Sequence, residues 1–126
     1  MHRQMLKSKI HRATVTDCDV DYVGSITIDT ELMAGADLLT NEQVHVWDVD
    51  TGSRFVTYVI DGEPGSGTVQ VNGAAAHLTA PGHKVIVASF AAYEESDLER
   101  YSPLVVHVDD RNRAVAVDSH PEVLLS

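Results

Sequence analysis

Val44-His45-Val46-Trp47-Asp48-Val49, then Asp50-Thr51-Gly52-Ser53, then Arg54-Phe55-Val56-Thr57-Tyr58-Val59-Ile60 form one continuous run near the middle of the chain. The first six residues alternate in the manner of a strand with two unlike faces. The next four are turn formers, and the return arm is rich in β-branched and aromatic residues, so the run reads as a β-hairpin. On the return arm Arg54, Val56 and Tyr58 share one face while Phe55, Thr57 and Val59 share the other. A flat strand therefore does not aim Arg54, Thr57 and Tyr58 at one point.

Outward from the hairpin the chain is a series of short strands with little helix. Lys9 to Thr16 alternates, with Lys9, His11, Ala13 and Val15 expected on one face. Ile26 to Ile28 reads as a strand. Asp29 or Thr30 can cap a helix of one or two turns through Met33 and Ala34, which Gly35 would end. Asp61 to Gly67 is a glycine-rich loop, but no Lys-Ser or Lys-Thr follows it and its acids repel phosphate. Thr68 to Val71 reads as a strand and Ala74 to Leu78 as a short helix whose first backbone amides are free to bind a carboxylate. Lys84 to Phe90 is almost wholly apolar and is the expected core strand. Leu104 to Val108 and Ala114 to Val117, joined by Asp110-Arg111-Asn112-Arg113, form a last hairpin, and Pro121 onward reads as a tail. The expected fold is mainly β with short helices.

A chain of 126 residues is one domain. It is small enough for oligomerisation to add useful burial. With 44% hydrophobic residues and no apolar run near the roughly 20 residues needed to cross a bilayer, a soluble protein is expected. The start, Met1-His2-Arg3-Gln4-Met5-Leu6-Lys7, has no apolar segment of the signal-peptide kind. Cys18 is the single cysteine; it reads as a small strand residue and fits a reducing cytoplasm. The net charge of −10 argues against nucleic acid. Arg3, Lys7, Lys9 and Arg12 concentrate positive charge in the first 12 residues, leaving −14 on the other 114. That basic segment and Arg54 are the natural grip for an acidic ligand. The seven histidines show no metal-ligand spacing, so no metal site is expected.

Asp21-Tyr22-Val23-Gly24-Ser25-Ile26-Thr27 carries the candidate chemistry. Gly-Ser occurs three times, but Gly52-Ser53 and Gly65-Ser66 sit in turn sequences, whereas Gly24-Ser25 lies between strand-like segments. A serine hydroxyl can attack the carbonyl of the preceding residue and turn the amide into an ester; glycine at that carbonyl leaves it open and tolerates the backbone shift. Elimination then leaves Gly24 as a carboxyl terminus and residue 25 as dehydroalanine, whose hydrolysis gives a pyruvoyl group. Such a ketone forms a Schiff base with an amine substrate in place of pyridoxal phosphate.

Lys9-Ile10-His11-Arg12-Ala13, Tyr22-Val23-Gly24-Ser25, Trp47, Arg54-Phe55-Val56-Thr57-Tyr58 and Asn72-Gly73-Ala74-Ala75-Ala76 stand in the order and spacing of one known family. The chain resembles the pyruvoyl-dependent aspartate 1-decarboxylases from Met1 to about Glu94, and the resemblance becomes unspecific beyond. It implies a double-psi β-barrel, cut into residues 1–24 and 25–126, that assembles as a homotetramer with active sites between subunits. It further implies a cytoplasmic enzyme that makes β-alanine and CO2 from L-aspartate for pantothenate and coenzyme A synthesis. Ser25 would become the pyruvoyl group, without metal or pyridoxal phosphate, and Tyr58 the proton donor. Thr57, Asn72, Gly73, Ala74 and Ala75 would contact substrate. Thr57 would also lie near the Gly24 carbonyl, and Asn72 would hold the oxyanion, during self-cleavage. Arg54 and Lys9 are assigned to the side-chain carboxylate, because a cation on the departing carboxylate would stabilise the charge that decarboxylation has to give up. Two alternatives remain open at this point: a decarboxylase for another amino acid, told apart by aspartate against glutamate turnover, and a barrel that only binds.

Overall fold

The two arms of the central hairpin are β4 (Gln43–Asp48) and β5 (Arg54–Gly62), paired antiparallel with Val44 opposite Thr57 and Trp47 opposite Arg54. The computed structural model describes residues 1–120; the tail expected from Pro121 lies outside the described residues. Around the hairpin stand β1 (His2–Thr14), β2 (Asp17–Asp19), β3 (Ser25–Asp29), β6 (Val69–Asn72), β7 (Lys84–Glu94), β8 (Leu104–Val108) and β9 (Ala114–Asp118). Their ladders run in the order β2-β6-β3-β5-β4-β7-β1-β8-β9. Among the described residues helix is confined to α1 (Thr30–Gly35) and two 3₁₀ segments, Gly73–Leu78 and Glu95–Arg100. The protein is mainly β with short helices, as the sequence indicates.

The sheet is mixed. β3 runs parallel to β5 and antiparallel to β6, while β1 pairs antiparallel with β7 and parallel with β8. One face of these strands packs a core of Ile10, Ala13, Val15, Ile26, Ile28, Val44, Val46, Val59, Val69, Val71, Val85 and Val87, closed by Leu32 and Met33 of α1. Asp29 caps that helix, its carboxylate accepting the Glu31 amide at 2.8 Å. The same carboxylate accepts the amides of Gly65 at 3.0 Å and Gly67 at 2.9 Å. The glycine loop thus wraps the Asp29 side chain.

β1 departs from simple alternation. Ile10 lies opposite Val87 but Ala13 opposite Val85, so β1 inserts one extra residue, and Arg12 takes a left-handed conformation with φ 61. Ala13 and Val15 therefore join Ile10 in the core instead of sharing the face of Lys9 and His11. A second irregularity falls between Leu6 and Ser8; there Lys7 pairs with Glu42 at 2.6 Å. β7 runs four residues beyond its expected end, and Phe90 is 40% exposed rather than part of the core.

Candidate active site

Ser25 opens β3 at a boundary between surface and interior. Tyr22, Val23 and Gly24 are exposed, whereas Ser25 is buried. Its hydroxyl donates to the Val23 carbonyl at 2.8 Å, one residue upstream of the carbonyl it would attack. Its Oγ accepts from Asn72 Nδ2 at 3.1 Å, and the same Nδ2 donates to Thr27 Oγ1 at 3.0 Å. This follows from register, because Asn72 on β6 lies directly opposite Ser25 on β3. Asn72 precedes the 3₁₀ segment as its N-cap, yet its side chain makes no cap bond. Its amide serves Ser25 and Thr27 instead, which leaves the first amides of the Gly73-Ala74-Ala75 backbone without a side-chain cap.

Gly73 is the tightest contact at the junction. It holds φ 75, and a Cβ there would stand 2.5 Å from Gly24 Cα and 2.8 Å from Gly24 N. Only glycine lets the 3₁₀ segment lie this close to Gly24. Gly24 itself has nothing within 4 Å of an added Cβ. Its lack of a side chain answers to no packing need in the folded chain.

The β3–β5 ladder begins at Ile26 opposite Val59, so Ser25 and Tyr58 stand together one residue before it. Both belong to the face that turns away from the Ile26 and Val59 core side. Thr57 falls on the Phe55 and Val59 side of β5, as the alternation of the sequence requires. Arg54 lies four residues from Tyr58, about 13 Å along the strand. Its guanidinium carbon sits 5.1 Å from the centre of the Trp47 ring, a cation–π contact across the hairpin. Trp47 lies directly opposite Arg54 in the β4–β5 ladder.

Lys9 is opposite Ala88 on β7, Ala88 is opposite His45 on β4, and His45 is opposite Val56 on β5. Lys9 is thus on the same outward face as Arg54 and Tyr58, but three strand spacings from β5, about 14 Å along the sheet. Arg3 and Lys7 are engaged with Glu95 and Glu42. Between these positions the outward face carries a cleft of about 350 Å³ lined by Gln4, Gln43, His45 and Phe90. One chain thus brings together Ser25, Asn72 and Gly73, and sets Tyr58 level with them, while Arg54 and Lys9 stand further off on the same face.

His11 is 5% exposed and neither ring nitrogen has a partner among the described residues. Burial first, then the charges of Lys9, His107 and Arg12, lower its pKa to about 4. Burial, with the Asp17 and Asp48 charges, raises the Cys18 thiol, which suits a structural and not a nucleophilic cysteine. Ligand atoms of Asp48, Asp50 and His83 lie within 4.8 Å of one another, a grouping invisible in sequence spacing. Asp48 accepts the amides of Asp50 and Thr51 on one oxygen and meets His83 Nδ1 at 2.8 Å on the other.

Residues 1–115 match the profile of the family described as aspartate decarboxylase. The chain belongs to the aspartate decarboxylase family. It is 55% identical over 121 residues to an aspartate 1-decarboxylase of Mycolicibacterium smegmatis, spanning 96% of this chain and 89% of the relative. It is 53% identical over 115 residues to an aspartate 1-decarboxylase of Myxococcus xanthus, spanning 91% and 88%. The family match runs some twenty residues past Glu94, so family character reaches into the final hairpin, where the sequence blocks alone are unspecific. Among the described residues no helix is long and apolar enough to cross a membrane.

Proposed function

We propose that the chain cuts itself between Gly24 and Ser25, converts Ser25 to a pyruvoyl group, and decarboxylates L-aspartate to β-alanine and CO2. The observation that carries this reading is the buried Ser25 hydroxyl, held by Asn72 at an exposed Gly24 peptide. The donor set fits: an Asn72 N–H meets Ser25 Oγ, the oxygen that becomes the ester oxygen and carries the leaving electron pair on elimination, and Gly73 leaves the peptide room to rearrange. A pyruvoyl group at residue 25 supplies a ketone that takes the substrate amine and a conjugated carbonyl that accepts the electrons of the departing carboxylate.

The chain's own residues bind, orient and protonate. Arg54 and Lys9 hold the side-chain carboxylate, Arg54 by its fork of donors. The departing carboxylate is left without a cation, so its charge is not stabilised before it is lost. Tyr58, level with residue 25, returns a proton to the α-carbon from its phenol O–H. Thr57, Asn72 and the Gly73-Ala74-Ala75 backbone contact substrate, and Thr57 acts near Gly24 in maturation. The separation of Lys9 and Arg54 within one chain supports sites shared between subunits of a homotetramer. Val56 and Phe90, 52% and 40% exposed on that outward face, suit burial there. Neither metal nor pyridoxal phosphate takes part, and the product feeds pantothenate and coenzyme A synthesis in the cytoplasm.

Ser25→Ala should remain one uncut chain and release no CO2 from aspartate, while Tyr58→Phe should be cut normally yet turn over slowly. Decarboxylation by Ser25→Ala at the wild-type rate would sink the reading. Comparing aspartate with glutamate tests the assignment of Arg54 and Lys9 to a short acidic side chain.

A further inference from the structure

We propose that Gln70 is a positioning residue for self-cleavage: its side-chain N–H fixes which end of the Asn72 amide faces Ser25. The inference rests on the reading of Gly24–Ser25 as a self-cleaving bond. On β6, Gln70 lies opposite Thr27 and Asn72 opposite Ser25. All four side chains leave the ladder on the face away from the Ile26, Ile28, Val69 and Val71 core side.

Gln70 Nε2 donates to Asn72 Oδ1 at 2.8 Å. With its oxygen held there, Asn72 directs both hydrogens of its NH2 group the other way, to Ser25 Oγ and Thr27 Oγ1. The single hydroxyl hydrogen of Ser25 is committed to the Val23 carbonyl, so its Oγ is available to accept. Asn72 is fully buried, and any reversal of its amide has to be met by its three side-chain partners. An acceptor at position 70 would drive that reversal. It would draw Nδ2 toward itself and turn Oδ1 onto Ser25.

The direction of this amide bears on bond breaking. After the acyl shift, residue 25 loses its α-proton to water and a Cα=Cβ double bond forms. The Cβ–Oγ bond breaks, and its electron pair leaves on Oγ as part of the new Gly24 carboxylate. Water then adds to the dehydroalanine and ammonia departs, leaving the ketone. An N–H pointed at Oγ stabilises the charge that Oγ takes on, whereas a carbonyl oxygen there opposes it.

The test is the rate of cutting, followed by denatured intact mass, for wild type, Gln70→Glu and Gln70→Met between pH 8 and pH 4.5, with melting temperatures recorded alongside. A carboxylate at position 70 presents acceptors only, so Gln70→Glu should cut about tenfold or more slowly than wild type at neutral pH. It should recover relative to wild type as pH falls, because the protonated carboxyl regains a donor for Asn72 Oδ1. Asp17, across from residue 70 on β2, favours that protonation. Gln70→Met, without a donor or a charge, should be slow at every pH. A general packing role would not give the proton-dependent recovery. A wild type that cuts beside a Gln70→Glu variant that cuts equally fast, or stays equally slow at low pH, overturns the assignment of Gln70 alone. A wild type that never cuts removes the underlying reading as well.

Discussion

Gly73 and Gly24 touch, yet the structure needs them for different reasons. Gly73 holds φ 75 and has no room for a Cβ, so Gly73→Ala should both strain the backbone and displace Gly24. We expect about 1–3 kcal/mol of destabilisation and slowed cutting, read by denaturant unfolding and intact mass. Gly24→Ala meets no atom within 4 Å and should fold within about 0.5 kcal/mol of wild type; slower cutting in that variant would then report on the reaction itself. The sequence marks Gly24 readily through its serine neighbour, but a positive φ at Gly73 and its contact with Gly24 depend on tertiary approach and leave no local signal. Two histidines show the same limit and give opposite pH dependences. The pKa of His11 lies below its unfolded value of 6.5, at about 4, so the unfolded chain binds the proton first and stability falls as pH drops from about 6.5 toward 4. The pKa of His83 is raised, chiefly by its hydrogen bond to Asp48. Its contribution is complete below pH 6.5 and is lost as pH rises through the folded value. Melting temperatures against pH should show His83→Gln flattening the alkaline limb while leaving the acid limb in place.

At the scale of elements, the hairpin of β4 and β5, α1 with its Asp29 cap, and the β8–β9 turn were legible because each is set by neighbours in sequence. The β1 bulge was not. An arginine in the left-handed region is uncommon, and nothing in Arg12 announces it, so counting by twos assigns Ala13 and Val15 to the wrong side. Nor does local pattern reveal that β8 runs parallel to β1. The join is held by Asn112, whose turn position was legible but whose partners were not. Its side-chain amide donates to the Thr14 carbonyl at 2.7 Å and the Gly67 carbonyl at 2.8 Å, and its oxygen accepts the Thr14 amide at 2.7 Å. Asn112→Ala leaves these groups unpaired in a buried setting and should cost about 3 kcal/mol, measured by denaturant unfolding. A change within about 0.5 kcal/mol would show that the bonds do not hold the final hairpin to β1.

For the whole molecule, the sequence made the family and the acidic balance plain, whereas the placement of Lys9, Arg54 and Tyr58 on one sheet face required strand order. Lys9 and Arg54 share that face without sharing a neighbourhood. Ser25, Asn72 and Gly73 converge because β3 and β6 pair in one register. If subunits complete the site, Phe90→Glu should lower the solution mass by light scattering and reduce turnover of a correctly cut, folded chain. An unchanged assembly would place the interface elsewhere. The central claim is that the chain makes its own cofactor at residue 25, and the intact mass of the denatured protein tests it most directly. Two chains are expected, residues 1–24 and 25–126, the longer lacking its amino-terminal nitrogen and carrying a ketone. A single chain of unmodified mass, persisting after prolonged warm incubation, would contradict it.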